Sequence, residues 1–272
     1  MAELPEFTIL EKQMNESLSG RTVKLVEALQ EKNLNIPIDT FVRSVTGRRI
    51  EKVTRRGKWL FIHLDEDKFV LLNVGMGADL FHYSPGAELP VKYHLRMEFD
   101  DNSGFTCRFW WLGYIRFLTA DELPGHKDTA KLGPSPMEIT TEEFLAIAAS
   151  YPKKNVKSLI LDQDKLSGIG NAYAHDILWK AKLHPQRKLG TLSVEELKRY
   201  HKAIKDIVMR AIELTGLEPD FYGKGGNMKT FEQLFIMGYK EGKPCPECGT
   251  TIQKIKTGST QTFICPKCQM QE

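Results

Sequence analysis

The sequence predicts an α+β multidomain protein, with a β-sandwich and flanking helices in its first half, a helical middle, and a small metal module at its end. Three observations predict it. Residues 58–73 and 93–111 read as paired apolar and aromatic runs split by polar turns. Residues 140–216 carry apolar residues at helical spacing behind two capping boxes, and four of the five cysteines stand together near the end.

Residues 5–20, PEFTILEKQMNESLSG, put Phe7, Leu10, Met14 and Leu18 on one helical face, with Pro5 in the first turn and Gly20 just past the end. An early amphipathic helix is expected. From Arg43 the chain reads RSVTGRRIEKVTRRGK, a basic run opposed only by Glu51, for which a solvated strand face is as good an account as a polyanionic partner. KWLFIHLD, the turn-like EDK and FVLLNV then make one hairpin pattern; YHLRMEF, DDNSG and FTCRFWW make another. KLGPSP, from Lys131 to Pro136, ends the sandwich. Beyond it, Thr140-x-x-Glu143 and Ser193-x-x-Glu196 open helices, the second closing at Gly216. Between them SGIGN interrupts two apolar-periodic segments, and read alone its glycines and Asn171 make a helix connection in left-handed backbone. The expected domains are residues 1–133, 134–227 and 228–272.

A chain of 272 residues with 41% hydrophobic residues can bury a core, while a net charge of +3 is too small to argue for a polyanion unless its placement does. The start, MAELPEFTIL, has no secretory pattern, and no stretch has the apolar length of a membrane span, so a soluble, cytoplasmic protein is expected. Cys107 stands alone in an apolar strand and is expected to be a buried free thiol. The other four, Cys245, Cys248, Cys265 and Cys268, form C-x2-C-x16-C-x2-C, which suits one tetrahedral zinc ion. Four thiolates leave no position for water, so the metal is structural, and a hairpin this small takes its folding energy from it.

The opening AELPE, RRGKWL, GMG at residues 75–77, LGPSP, KSLILDQDKLSGIGNAYA and the final CPKCQ resemble, in the same order, the motifs of formamidopyrimidine-DNA glycosylases and endonuclease VIII. The sequence is identified as a member of that family over nearly its whole length. The resemblance implies a β-sandwich, a helix-two-turn-helix domain and a zinc ribbon, with double-stranded DNA held across the cleft between them. It implies a monomer that flips a damaged, oxidised base out of the duplex and excises it through a Schiff base on the N-terminal amine exposed by removal of Met1, with abasic-site lyase activity. An α-amino group, with a reference pKa of about 7.7 to 8.0 against about 10.4 for lysine, is more often unprotonated at neutral pH and so more often nucleophilic.

By the resemblance, Ala2 carries that amine where the family has proline, Glu3 handles protons at the sugar, and Lys58 contacts the phosphate or sugar near the lesion. Glu6 fits the family opening, though a helix-start glutamate needs no such role. Asn171 and the glycine turn before it bind phosphate, with Lys157 in the same block, and Met76 fills the space left by the flipped base. Two loops depart from the pattern. Arg108-Phe109-Trp110-Trp111-Leu112-Gly113 lacks the arginine that reads the orphaned base, so Trp110, Trp111 or Leu112 is expected to stack or wedge without reading base edges. Thr260, with Gln261 beside it, replaces the phosphate-binding arginine of the zinc hairpin. The competing reading is a weakened or inactive homologue that binds damaged DNA. The glycine-rich stretch within residues 221–230 suits a lid over the flipped base or, nearly as well, a simple linker to the finger.

Overall fold

A computed structural model describes residues 2–216 and 231–271. Met1 and the glycine-rich stretch within residues 221–230 lie outside the described residues. The chain forms two compact units, the first running up to Ala130, the second from Lys131 to Leu214 and resuming at Phe231.

The first unit opens with α1 (Leu4–Leu18), whose Phe7, Leu10, Met14 and Leu18 are all within 1% of full burial. Removing those four side chains from water contributes on the order of 6–12 kcal/mol, an upper bound because unfolded chains already bury some surface. Two antiparallel four-stranded sheets follow. One has the order β1 (Val23–Ala28), β6 (Leu95–Phe99), β7 (Gly104–Trp111), β5 (Gly77–Tyr83); the other is β2 (Ile50–Arg56), β3 (Trp59–Leu64), β4 (Lys68–Asn73), β8 (Tyr114–Thr119). Leu95, Met97 and Phe99 alternate inward along β6, and Leu60, Ile62 and Leu64 along β3, all into one core that also takes the α1 face and α2 (Ile38–Val45). Both expected hairpins form: β3 pairs β4 across Glu66 and Asp67, which take positive φ, and β6 pairs β7 across a turn with Asn102 at φ +62°. Cys107 lies in this core, where burial pushes its thiol pKa up and keeps it inert. Much of the basic run is neutralised locally, Arg48 by Asp65 and Glu66, Arg55 by Glu11.

The second unit holds α3 (Thr141–Ala149), α4 (Val156–Leu161), α5 (Asn171–Lys180), α6 (Val194–Gly216), the short α7 (Phe231–Leu234), and the hairpin β9 (Gln253–Thr257) and β10 (Thr260–Ile264). Both capping boxes are made: Glu143 N–H donates to Thr140 Oγ1 at 3.1 Å, and Glu196 N–H to Ser193 Oγ at 3.2 Å. The helical and finger segments expected as two domains pack as one unit. Asp176 on α5 accepts the backbone N–H groups of Ile236, Met237 and Gly238 at 2.6, 2.8 and 2.9 Å, and the Gln269 amide donates to Leu183 O at 3.0 Å. Among the described residues, no helix is long and apolar enough to cross a membrane.

Candidate active site, nucleic-acid surface and metal centre

Ala2 is 4% exposed and its side chain belongs to the sandwich core, so the start of the chain is seated rather than trailing. Glu3, fully buried, is the N-cap of α1 and forms a reciprocal capping box with Glu6, whose Oε2 accepts the Glu3 N–H at 2.8 Å. Glu6 thereby fixes the peptide unit next to Ala2. The direction of α1 is set by two further bonds: Asn15 Oδ1 accepts Val53 N–H at 2.8 Å, and Glu11 Oε1 accepts Arg55 N–H at 3.0 Å. Moving back along the helix thus moves forward along β2. The start of α1 therefore lies toward the Lys58 end of β2.

Lys58 is half-buried in that tip, after Gly57 at φ +58°. Its carbonyl accepts Asn73 Nδ2 at 2.9 Å, while Asn73 Oδ1 accepts Gly75 N–H at 2.8 Å. Asn73 thereby ties the lysine tip to the turn that presents Met76. Sequence reasoning missed this residue; its signal was an Asn two positions before a glycine, the spacing of an Asx turn.

Met76 N–H donates to Trp111 O at 2.9 Å. Gly75 sits at φ +55° so close to the neighbouring loop that a Cβ would collide with the carbonyls of Trp111 and Leu112, and a Cβ on Gly77 would meet the Trp110 ring at 2.6 Å. Two turns are thus locked together. They display Met76 (46% exposed), Trp110 (64%), Trp111 (68%) and Leu112 (59%), an exposed apolar cluster at a loop tip. Arg108, the nearest guanidinium in sequence, faces Asp79 at 3.8 Å.

In the second unit, Asn171 begins α5 behind Gly170, an N-cap without a side chain, and the Asn171 Oδ1 is buried without a hydrogen-bond partner. Gln163 shapes the glycine turn, its amide donating to Leu161 O and Ile169 O and its Oε1 accepting Gly168 N–H at 2.9 Å. Lys157 is not an open surface lysine: it is 3% exposed, and its Nζ donates to Thr257 Oγ1 (2.9 Å), Thr260 Oγ1 (2.8 Å), Thr262 Oγ1 (2.7 Å) and Gln261 O (3.1 Å). Every one of these acceptors is neutral, and burial lowers the ammonium pKa to about 8. The hairpin position expected to be merely neutral, Thr260, thus stands directly on a cation. The threonine cradle was legible only as polar strand residues.

Cys245 and Cys248 precede β9, Cys265 and Cys268 follow β10, and the four sulfurs lie within 4.8 Å of one another. Sγ separations of 3.4 Å (Cys248–Cys265), 3.5 Å (Cys248–Cys268) and 3.9 Å (Cys245–Cys268) bracket the roughly 3.8 Å that tetrahedral Zn–S bonds of 2.3 Å require. Each knuckle is wound by backbone, Gly249 N–H to Cys245 O at 2.9 Å and Gln269 N–H to Cys265 O at 3.0 Å. Burial and the adjacent thiols push Cys265 and Cys268 upward in pKa; a bound dication makes all four thiolates compatible. The set fits one structural zinc ion.

These parts define a zinc-ribbon protein with a β-sandwich amino-terminal half and a helix-two-turn-helix body. The chain matches the formamidopyrimidine-DNA glycosylase N-terminal domain over residues 1–110, the formamidopyrimidine-DNA glycosylase H2TH domain over residues 132–220, and the zinc finger found in FPG and IleRS over residues 242–270. It belongs to the formamidopyrimidine-DNA glycosylase family. It is 34% identical over 278 residues to the formamidopyrimidine-DNA glycosylase of Pelotomaculum thermopropionicum, covering 99% of both chains, and 30% identical over 280 residues to that of Streptococcus pneumoniae, covering 100% of both. Among solved structures it is similar to Lactococcus lactis Fpg in complex with DNA containing an abasic site, with TM-score 0.87, 25% identity, and 99% and 100% of the two chains covered.

Proposed function

We propose that this chain is a base-excision-repair DNA glycosylase with abasic-site lyase activity, acting on oxidised bases in double-stranded DNA from the amine of Ala2. The observation that carries this reading is the burial of Ala2 and Glu3 at the start of α1, the end of the helix that points toward the Lys58 end of β2. Once Met1 is removed, the amine attacks C1′ of the damaged nucleotide and the C1′–N bond breaks, the base leaving with its electron pair and taking a proton. Glu3 is positioned to move protons at the sugar ring oxygen, and Lys58 to hold the neighbouring phosphate. After the amine loses a proton, its lone pair opens the sugar ring: the C1′–O4′ bond breaks and O4′ takes a proton by way of Glu3. The C1′=N iminium that forms can lose its N–H proton to a neutral imine, which must regain it before it can withdraw electrons for elimination of the 3′ phosphate. A proline iminium has no such proton to lose, so strand cleavage by elimination is slower here than from a proline terminus.

Met76, Trp111 and Leu112 occupy the gap left by the flipped base, and with no guanidinium at the loop tip the demand for a particular opposite base is weak. In the second unit Asn171 binds phosphate, and Thr260 does so through its hydroxyl with Lys157 beneath it. A cytoplasmic, monomeric protein accords with this chemistry. A second reading, a binder of damaged DNA without chemistry, draws on the missing fingertip and loop arginines. The test joins intact mass, to establish removal of Met1, with borohydride trapping on an abasic duplex. A covalent protein–DNA species is expected from the wild type and is lost when an extra residue precedes Ala2. A processed chain that is never trapped supports the binder instead.

A further inference from the structure

The turn between β7 and β8 carries the chain from one sheet of the sandwich to the other, with only Leu112 and Gly113 between the strands. So short a crossing is made with Leu112 at φ +53°, the left-handed region that L side chains rarely adopt. Burial does not offset this, because Leu112 is 59% exposed. A leucine held in strained backbone with its side chain largely in water points to a use outside the core, and strain of this kind gathers where a surface is set for a ligand.

The crossing is held from both sides. Before Leu112, the Trp111 carbonyl accepts Met76 N–H at 2.9 Å; after it, Asn33 Nδ2 donates to Gly113 O at 2.7 Å. The Phe109 ring stands where a Cβ on Gly113 would be, and Phe109 N–H donates to His94 Nδ1 at 3.1 Å. Asn33 comes from far away in the sequence, the short turn Glu31–Asn33 after β1, and is itself clamped. Arg116 Nη1, on β8, donates to its carbonyl at 2.8 Å, and its own N–H donates to Gln30 O at 3.2 Å. The residue is buried, yet its Oδ1 has no hydrogen-bond partner among the described residues. A buried amide left half unsatisfied is destabilising, and a leucine of similar shape would fill the space without that cost. What the amide alone supplies is the N–H on the loop carbonyl.

We infer that Asn33 is a positioning residue for recognition of the damaged site: through the Gly113 carbonyl it keeps Leu112 left-handed, so that Leu112 and Trp111 are already set in the free protein rather than ordered when DNA arrives. Asn33 need touch no nucleotide. It acts by sparing the loop the entropy of being immobilised on binding. This role rests on the repair reading above, in which the two side chains occupy the gap left by the extruded base.

A double-mutant cycle tests it, read by fluorescence anisotropy on a duplex with a stable abasic analogue and on the same duplex intact. Asn33→Leu removes the donor at similar volume, and Asn33→Ser leaves a side chain too short to reach the carbonyl. Each is measured in the wild type and in Trp111→Ala/Leu112→Ala. In the wild type either substitution is expected to weaken abasic-duplex binding about three- to tenfold, the contribution of one hydrogen bond to a neutral acceptor. In the loop variant the same substitution is expected to change binding less than about twofold, because the side chains it positions are gone. A general loss of folding would weaken both backgrounds alike, so equal losses, or no loss in the wild type, overturn the role of Asn33 and leave the repair reading standing. Wild-type protein that does not prefer the abasic duplex to the intact one overturns both.

Discussion

Lys157 holds a positive charge where threonine hydroxyls stand in for water, and its ionisation gives that arrangement a measurable sign. Burial lowers the folded-state pKa to about 8 from the ordinary 10.5. Between those values the unfolded chain holds more protons than the folded one, so this group makes stability rise with pH across that window. In the zinc-loaded protein, the thermal midpoint of the wild type relative to Lys157→Met is expected to move in the wild type's favour from pH 8 to pH 10; a flat difference would show the charge to be solvated. Trp111 calls for the opposite kind of experiment. The residue is 68% exposed, so Trp111→Ala should leave thermal stability unchanged while weakening abasic-duplex binding by about 1–3 kcal/mol, the usual contribution of one stacked base. Against a panel of four opposite bases, the wild type should vary little, and a strong cytosine preference would contradict the loop reading. For Glu3, which touches the reacting sugar in this mechanism, Glu3→Gln should slow base release by roughly 10²–10⁴-fold with duplex affinity retained.

At the scale of elements, the two turns around residues 75–77 and 110–113 act as one piece, because Gly75 lies at positive φ against the carbonyls of Trp111 and Leu112. Gly75→Ala should cost about 1–3 kcal/mol of stability and displace Met76, measured as a lower denaturant midpoint together with weaker abasic-duplex binding. Helices and hairpins were legible because their signals are local. The 3.6-residue period of Phe7, Leu10, Met14 and Leu18, the boxes at Thr140 and Ser193, and the alternation along β6 each reside in a few neighbouring residues. The zinc ligands were legible for the same reason, since two knuckles declare themselves by spacing. What escaped is what joins distant segments. The spacing of Asn73 and Gly75 announces their turn but not the bond from Asn73 to Lys58, and nothing near Lys157 announces that its partners lie about a hundred residues away on the finger. Glu6 was ambiguous for a related reason, as a capping glutamate and a functional one share the same position in a helix start.

The second unit stands or falls as a whole, since its helical body and its finger share hydrogen bonds rather than a linker alone. Asp176, 1% exposed, takes three N–H groups from Ile236–Gly238, and Asp176→Ala strands those donors, an expected loss of about 3 kcal/mol or more; Asp176→Asn should recover part of it. Removing zinc with a chelator should unfold the hairpin and, with it, the threonine cradle under Lys157, so far-ultraviolet circular dichroism and DNA affinity should decline together. The carboxylate of Asp176 lies on the same ten-residue helix as Asn171, little more than one turn away. Oxidants that strip the metal from its sulfurs would therefore be felt at the glycine turn as well: a redox insult at the far end of the chain becomes a loss of grip on the nucleic-acid strand, without any change to the residues that hold it.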